Sequence, residues 1–283
     1  MMNLKSLILS RLELSGATPK RSLGQNFLID EQVVAKIIGA VKASPGELII
    51  EVGPGLGSLT ESLCKMDRPL VLIELDRQFA DYWRERGQEM IEGDALQIEW
   101  DSLTLSPKTI LVSNLPYQIS SSLVIDRCFG PPELKTMILM FQKEVAQRIT
   151  ATPRKKNYGM LSVMSQTFWD ITSVCDAGPR CFFPSPKIAS QVLKFTRKDT
   201  FSGSSDLANS QAFLNFVKMA FSYRRKVIWK NLNVEYQKYG MNVEEAILLG
   251  ERLGLGRFAR AEELSPLQFW NLHIEMGKMK CKK

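Results

Sequence analysis

Over residues 30–43 the apolar side chains Val33, Val34, Ile37, Ile38 and Val41 fall at the spacing of one helical face, and Asp30 stands at the N-cap position. The next stretch, GELIIEVGPGLGSLTESLCKM, changes period: continuous apolar residues at 48–52 read as a buried strand, glycines form a turn, and a helix opens near Ser58. The alternation continues. LVLIELD (70–76) reads as a strand, 77–86 as a helix and the segment around EMIEGDAL as a short strand. Residues 109–112 (TILV) form another, followed by a helix at 120–128, the strand TMILMFQ and the helix KEVAQRI. Strand and helix taking turns predict an α/β fold around an open, mostly parallel sheet.

After about Phe195 the pattern changes. TRKDTFSGSSD, rich in Ser, Gly and charge, reads as a linker, and beyond it only helical spacing remains, at 213–221, 224–232, 243–253 and 266–276. Two domains are expected: 1–198, α/β, and 199–283, small and all-α.

The 283 residues carry a net charge of +7, which favours an anionic partner such as nucleic acid or an acidic membrane surface. Five cysteines, an odd number without a C-x-x-C pair, speak against a disulfide framework or structural zinc site. The single histidine, His273, lies in the amphipathic FWNLHIEM and reads as a packed helix residue, so a Ser-His-Asp triad and a histidine-rich metal site are both excluded. At the N-terminus, MMNLKSLILSRLELSG has an apolar run too short for a secretory segment, interrupted by Arg11 and Glu13, and no stretch reaches the length of a membrane span. A cytoplasmic, reducing compartment is expected.

Candidate chemistry gathers at strand ends. Gly53, Gly55 and Gly57 in EVGPGLG let the backbone turn sharply and approach a ligand with a helix N-terminus behind it, although G-x-G-x-G is not the dinucleotide spacing G-x-G-x-x-G. Glu74, at the end of the following strand, stands where doubly wound folds place a carboxylate on ribose hydroxyls. An adenosine-containing cofactor is indicated. Asp94, in GDAL, is either a turn cap or an acceptor for an adenine amino group. The strand at 109–112 runs into Ser113, Asn114, Leu115, Pro116 and Tyr117. If the electrophile is the methylsulfonium of S-adenosylmethionine and the nucleophile an exocyclic base amine, that ending has a use. The Asn114 side-chain carbonyl and the Leu115 backbone carbonyl would accept the amine's hydrogens, Pro116 would fix the turn, and Tyr117 would stack on a flipped-out base.

These residues carry a family likeness over nearly the whole chain. It resembles the bacterial ribosomal RNA adenine dimethyltransferases, the KsgA family, through SLGQNFL (22–28), EVGPGLGSLT, IELD, GDAL and NLPY, and then LMFQKEVAQRI, YGMLSV and FFPSPKIASQV. The resemblance implies a Rossmann-like class I S-adenosylmethionine-dependent methyltransferase fold with a helical C-terminal domain. It implies that Asn26, Leu28, Gly53, Gly55, Glu74, Asp94 and Asn114 touch the cofactor, and that Phe182 is a second aromatic at the target adenine, opposite Tyr117. The implied product is two adjacent N6,N6-dimethyladenosines in a hairpin loop near the 3′ end of the small-subunit (16S) rRNA. The implied partner is the immature small ribosomal subunit, met by a monomer. A related fold methylates large-subunit rRNA; FSYRRKVIWKNL (221–232) resembles instead the basic helix of the small-subunit family. One departure is Ala189, where the family's P-K-V-D-S has an acid.

Three basic clusters are candidate phosphate contacts: Lys20 with Arg21, Arg154 with Lys155 and Lys156, and Arg224 with Arg225 and Lys226. RKKNYG (154–159) reads as a flexible loop, the tail KMKCKK as solvated charge, and Tyr223 and Trp229 as stacking or core aromatics. Two other readings compete with the enzyme. One is a small-subunit assembly factor with methylation secondary or lost. The other is a nicotinamide dehydrogenase, which leaves NLPY without a use.

Overall fold

The computed structural model describes residues 3–14, 19, 25–100, 103, 105–199 and 207–279. The chain forms two compact units, Met1–Ala146 with Asp170–Gly203, and Gln147–Trp169 with Ser204–Lys283.

In the first unit the order is α1 (Leu4–Leu14), β1 (Phe27–Leu28), α2 (Glu31–Lys42), β2 (Leu48–Val52), α3 (Thr60–Leu63), β3 (Leu70–Glu74), α4 (Arg77–Arg84) and β4 (Glu89–Glu92). There follow β5 (Thr109–Ser113), α5 (Tyr117–Cys128), β6 (Leu134–Gln142) and α6 (Lys143–Ile149), and later β7 (Trp169–Ala177), β8 (Phe182–Phe183) and β9 (Ser190–Arg197). Asp30 caps α2 as its position predicts, its Oδ1 accepting from the backbone N–H groups of Gln32 and Val33 at 3.0 Å. The five apolar residues of that helix are all buried.

Seven strands form one sheet in the order β4-β3-β2-β5-β6-β9-β7. From β4 to β6 the pairings are parallel, and β9 runs antiparallel to β6. Every residue of β2 and β5 is buried, as strands covered on both faces require, whereas β4 at the edge is not. Register aligns the carboxyl ends: Val52 pairs with Ile73, Glu51 with Val112, and Glu74 with Glu92. The loops after β2, β3, β4 and β5 therefore leave the sheet along one rim, where open α/β sheets bind ligands.

The second unit holds α7 (Met160–Phe168), α8 (Leu207–Ala220), α9 (Ile228–Asn231), α10 (Asn233–Lys238), α11 (Val243–Arg252) and α12 (Pro266–Met279). The division differs from a single cut after residue 198. Helix α7 is buried on nearly every side, so it needs apolar partners all round, and it finds them in the C-terminal helices. Phe168 meets Phe213 and Trp270 edge-on, at 6.1 and 5.8 Å. His273 is buried against Phe213 and Phe216, and burial pushes its pKa down to about 4, leaving a neutral, packed histidine.

Two sequence expectations are corrected. The helix opening near Ser58 is a single turn, α3. The helix at 224–232 shrinks to α9, because Val227 adopts extended backbone, bridges Arg260 in antiparallel fashion, and is followed by Ile228 N–H donating to the Ala259 carbonyl. Arg224, Arg225 and Lys226 thus occupy a turn ahead of that helix. Among the described residues no helix is long and apolar enough to cross a membrane.

Candidate active site

After β2 the chain turns through Gly53, Gly55 and Gly57 with φ of 69°, 50° and 92°, the left-handed region that favours glycine. Space is as restrictive as dihedral angle: a Cβ on Gly57 would lie 2.5 Å from the Trp83 ring. Hydrogen bonds hold two of the turn's glycines, Gly53 and Gly55, to the next strand and helix. Gly53 N–H donates to the Ile73 carbonyl at 2.8 Å, Gly55 N–H to Glu74 Oε2 at 3.1 Å, and Trp83 Nε1–H to the Gly55 carbonyl at 2.8 Å.

Three carboxylates face the cavity beside this turn. Glu74 is buried and its Oε1 accepts from Asp76 N–H at 2.9 Å. Burial raises its pKa, and the N–H groups of Asp76 and Gly55 oppose that rise. Asp94 caps its own turn, Oδ1 accepting from Leu96 N–H at 2.9 Å, and also lines the cavity. The third acid, Glu51, escaped sequence reasoning. It is 2% exposed, and its Oε2 has no hydrogen-bond partner among the described residues. Its signal was there to read: LIIEV places one acid inside an otherwise apolar buried strand, which is costly without a purpose.

Burial, reinforced by the charge of Glu74, raises the Glu51 pKa to about 8 from an ordinary value of 4.5. The folded protein then retains a proton that the unfolded chain releases, so Glu51 makes stability fall as pH rises from about 4.5 to about 8 and level off above. Glu51→Gln removes that dependence. The variant's stability advantage grows by up to about 1.4 kcal/mol per pH unit across this window. Urea unfolding of both proteins between about pH 5 and about pH 9 measures it, and parallel stability curves would refute the assignment.

At the end of β5, Ser113 Oγ donates to the Val52 carbonyl, tying this strand end to the glycine turn. Asn114 Nδ2 donates to the Asn26 carbonyl at 3.0 Å. A carbonyl can face only the amide's NH2, so this bond fixes the side chain with Oδ1 available as an acceptor. Pro116 precedes α5, and Tyr117 opens that helix, half-buried, with its Oη 2.8 Å from the Oγ of buried Ser190 at the start of β9. Burial raises the tyrosine pKa, so the ring stays a neutral phenol.

The cavity brings together Asn26, Gly53, Gly55, Glu74 and Asp94 with Asn114, Leu115, Pro116 and Tyr117, all from the first unit. It leaves out two residues. Leu28 and Phe182 pair across the β1–β8 ladder and sit in the hydrophobic core, Phe182 only 2% exposed, so neither forms a wall. Lys20 and Arg21 lie outside the described residues. The other two basic clusters belong to the second unit, where Arg224 is engaged internally: Nε donates to Glu262 Oε2 at 2.6 Å, and Nη1 and Nη2 to the carbonyls of Lys156 and Lys155 at 2.7 and 3.1 Å. RKKNYG is likewise tied down. Arg154 N–H donates to the Glu262 carbonyl, and Tyr158, buried, donates its hydroxyl to the Leu264 carbonyl. Trp229 is core, its ring packed over Gly250, while Tyr223 is exposed.

Residues 16–273 match the family model described as ribosomal RNA adenine dimethylase. The chain belongs to that family. Among its curated relatives, the ribosomal RNA small subunit methyltransferase A of Bdellovibrio bacteriovorus is 48% identical over 265 residues, covering 94% of this chain and 95% of the relative. The protein of the same name from Syntrophotalea carbinolica is 38% identical over 258 residues, 90% of this chain and 95% of its own. Of solved structures, a dimethyladenosine transferase from Plasmodium falciparum superposes with a TM-score of 0.74 at 27% identity, covering 89% of this chain and 98% of that one. The 23S rRNA methyltransferase ErmE superposes with a TM-score of 0.62 at 25% identity, covering 89% and 100%. This family member is a ribosomal RNA adenine methyltransferase with the class I fold, and the rim of its parallel strands is the region where its motifs converge.

Proposed function

We propose that the chain dimethylates N6 of two adjacent adenosines in a hairpin loop near the 3′ end of small-subunit rRNA, using S-adenosyl-L-methionine, during late cytoplasmic assembly of the subunit. The observation that carries this reading is Asn114, anchored through Nδ2 so that Oδ1 is presented beside the glycine turn. Likeness to small-subunit enzymes at 48% identity, against 25% for the 23S enzyme, supports the choice of subunit.

The cavity suits this cofactor. Glu51 lines the cavity and its buried Oε2 has no partner among the described residues, which fits a ligand that brings a polar group there, and a Cβ on Gly55 would come within 3.1 Å of the Phe27 ring, so the turn stays open only as glycine. When bound, S-adenosylmethionine supplies a methyl group activated by its sulfonium. Glu74 accepts from the ribose hydroxyls, Asp94 from the adenine amino group, and the backbone at Gly53 and Gly55 allows close approach. Asn114 Oδ1 and the Leu115 carbonyl accept the hydrogens of the substrate amine, which turns its lone pair out of conjugation and toward the methyl group. Tyr117 supports the base from its face. The nitrogen becomes cationic as the methyl group arrives and then releases a proton to water, so positioning replaces a strong base.

Methyl transfer from radiolabelled S-adenosylmethionine to small subunits lacking the modification tests the reading. Labelled dimethyladenosine supports it. Binding to the subunit without any label would favour the assembly-factor role instead.

In the second unit, Arg225 and Lys226 are exposed, while Arg224, part-exposed, ties the turn to Glu262 and to the Lys156 carbonyl. Arg225→Ala with Lys226→Ala is expected to weaken subunit binding and reduce the salt slope by about two, one for each phosphate no longer neutralised. Arg224→Ala lowers thermal stability instead. Binding across a salt series, paired with melting curves, separates the two, and an unchanged slope in the double variant would remove these residues from the RNA surface.

A further inference from the structure

Helix α1 precedes residue 16, where the family match begins, and the chemistry above makes no use of it. Its apolar residues Leu4, Ile8 and Leu12 recur every four positions along one face. Ile8 is fully buried in a cluster with Phe27, Leu56 and Phe79, and Leu4 and Leu12 pack against the same cluster. Phe27 and Phe79 wall the cavity, and Leu56 belongs to the glycine turn. The helix is therefore seated on the outer side of the ligand site.

Arg11 carries the packing of this helix into the turn itself. Its Nη1 donates to the Leu56 carbonyl at 2.9 Å, its Nη2 pairs with the Glu61 carboxylate, and its guanidinium carbon lies 5.6 and 5.8 Å from the ring centroids of Tyr82 and Trp83. The side chain is only 14% exposed. Trp83 in turn donates to the Gly55 carbonyl, and a Cβ on Gly57 would come within 2.8 Å of Arg11 Nη1. Arg11 and Trp83 thus hold two successive carbonyls of a turn whose glycines, lacking a Cβ, have more backbone conformations open to them than other residues. A turn that samples other conformers binds its ligand in proportion to the competent fraction.

We propose that Arg11 is a positioning residue for the cofactor: from a helix outside the family match, it locks the glycine turn in its ligand-accepting conformation and so sets cofactor affinity. The proposal rests on the reading that this cavity holds S-adenosylmethionine. Isothermal titration of the full-length chain with S-adenosylmethionine, and separately with S-adenosylhomocysteine, tests both levels.

Arg11→Ala is expected to raise the Kd about tenfold, the effect of losing a charge-assisted hydrogen bond that organises the site. The KM for cofactor rises with it, while kcat at saturating cofactor and RNA affinity stay within about twofold. Arg11→Lys gives an intermediate Kd, since one ammonium cannot reproduce the planar fork between carbonyl and carboxylate. No binding by the native chain would sink the reading of the cavity itself. Native binding with equal affinity in both variants would overturn the role of Arg11 alone. A parallel loss of stability, RNA affinity and cofactor affinity would do the same, since it marks a general structural role. If Arg11→Ala does not fold, Arg11→Lys decides.

Discussion

Asn114→Ala is expected to lower kcat for methyl transfer about a thousandfold while leaving RNA affinity nearly unchanged. The substitution deletes the acceptor proposed to meet the substrate amine, and little else in the fold depends on it: among the described residues the side chain makes one hydrogen bond, to the Asn26 carbonyl. Asn114→Asp is the sharper probe. It retains an acceptor oxygen, but a carboxylate has no hydrogen to give the Asn26 carbonyl, so the group loses its anchor and repels the atom that held it. Its rate falls between native and alanine. Single-turnover transfer onto undermethylated small subunits, with binding measured separately, reads both effects. A full rate in Asn114→Ala would mean that the end of β5 positions something other than the nucleophile.

Sequence patterning reports which faces of an element are apolar, and it succeeded where that is sufficient. Asp30 as a cap and 48–52 as a strand carry their instructions within a few residues, as does Glu74 at a strand end. It failed where the decisive partner is distant in the chain. Phe27–Leu28 and Phe182–Phe183 are two-residue strands that exist only through each other, so neither has a period of its own, and Phe182 is drawn into the core rather than onto the cavity wall. Arg224 looked like its basic neighbours because charge is visible in a sequence and an internal carbonyl is not. The N-terminal run, read only for what it could not be, proved to be a helix whose Arg11 bonds to a residue of the glycine turn.

Glu74→Ala is expected to weaken S-adenosylmethionine binding by about a hundredfold or more, because one side chain serves two purposes there. In the proposed reading it offers the ligand a carboxylate for the ribose hydroxyls; toward the protein it accepts the N–H of Gly55 and of Asp76, at 3.1 and 2.9 Å. Alanine removes the ribose acceptor and also frees the turn that the ligand must meet. Glu74→Gln tests the second purpose: its amide has one acceptor oxygen for two N–H donors, and its NH2 must oppose one of them. It is therefore expected to bind nearly as poorly as alanine despite its matching shape. The measurement is the rise in melting temperature on adding cofactor, which follows the ratio of ligand concentration to Kd. The native chain gains stability with each increment, whereas both variants stay flat at concentrations that saturate it. A normal gain in Glu74→Gln would show that the turn stands without the carboxylate, and that Glu74 acts on the ligand alone.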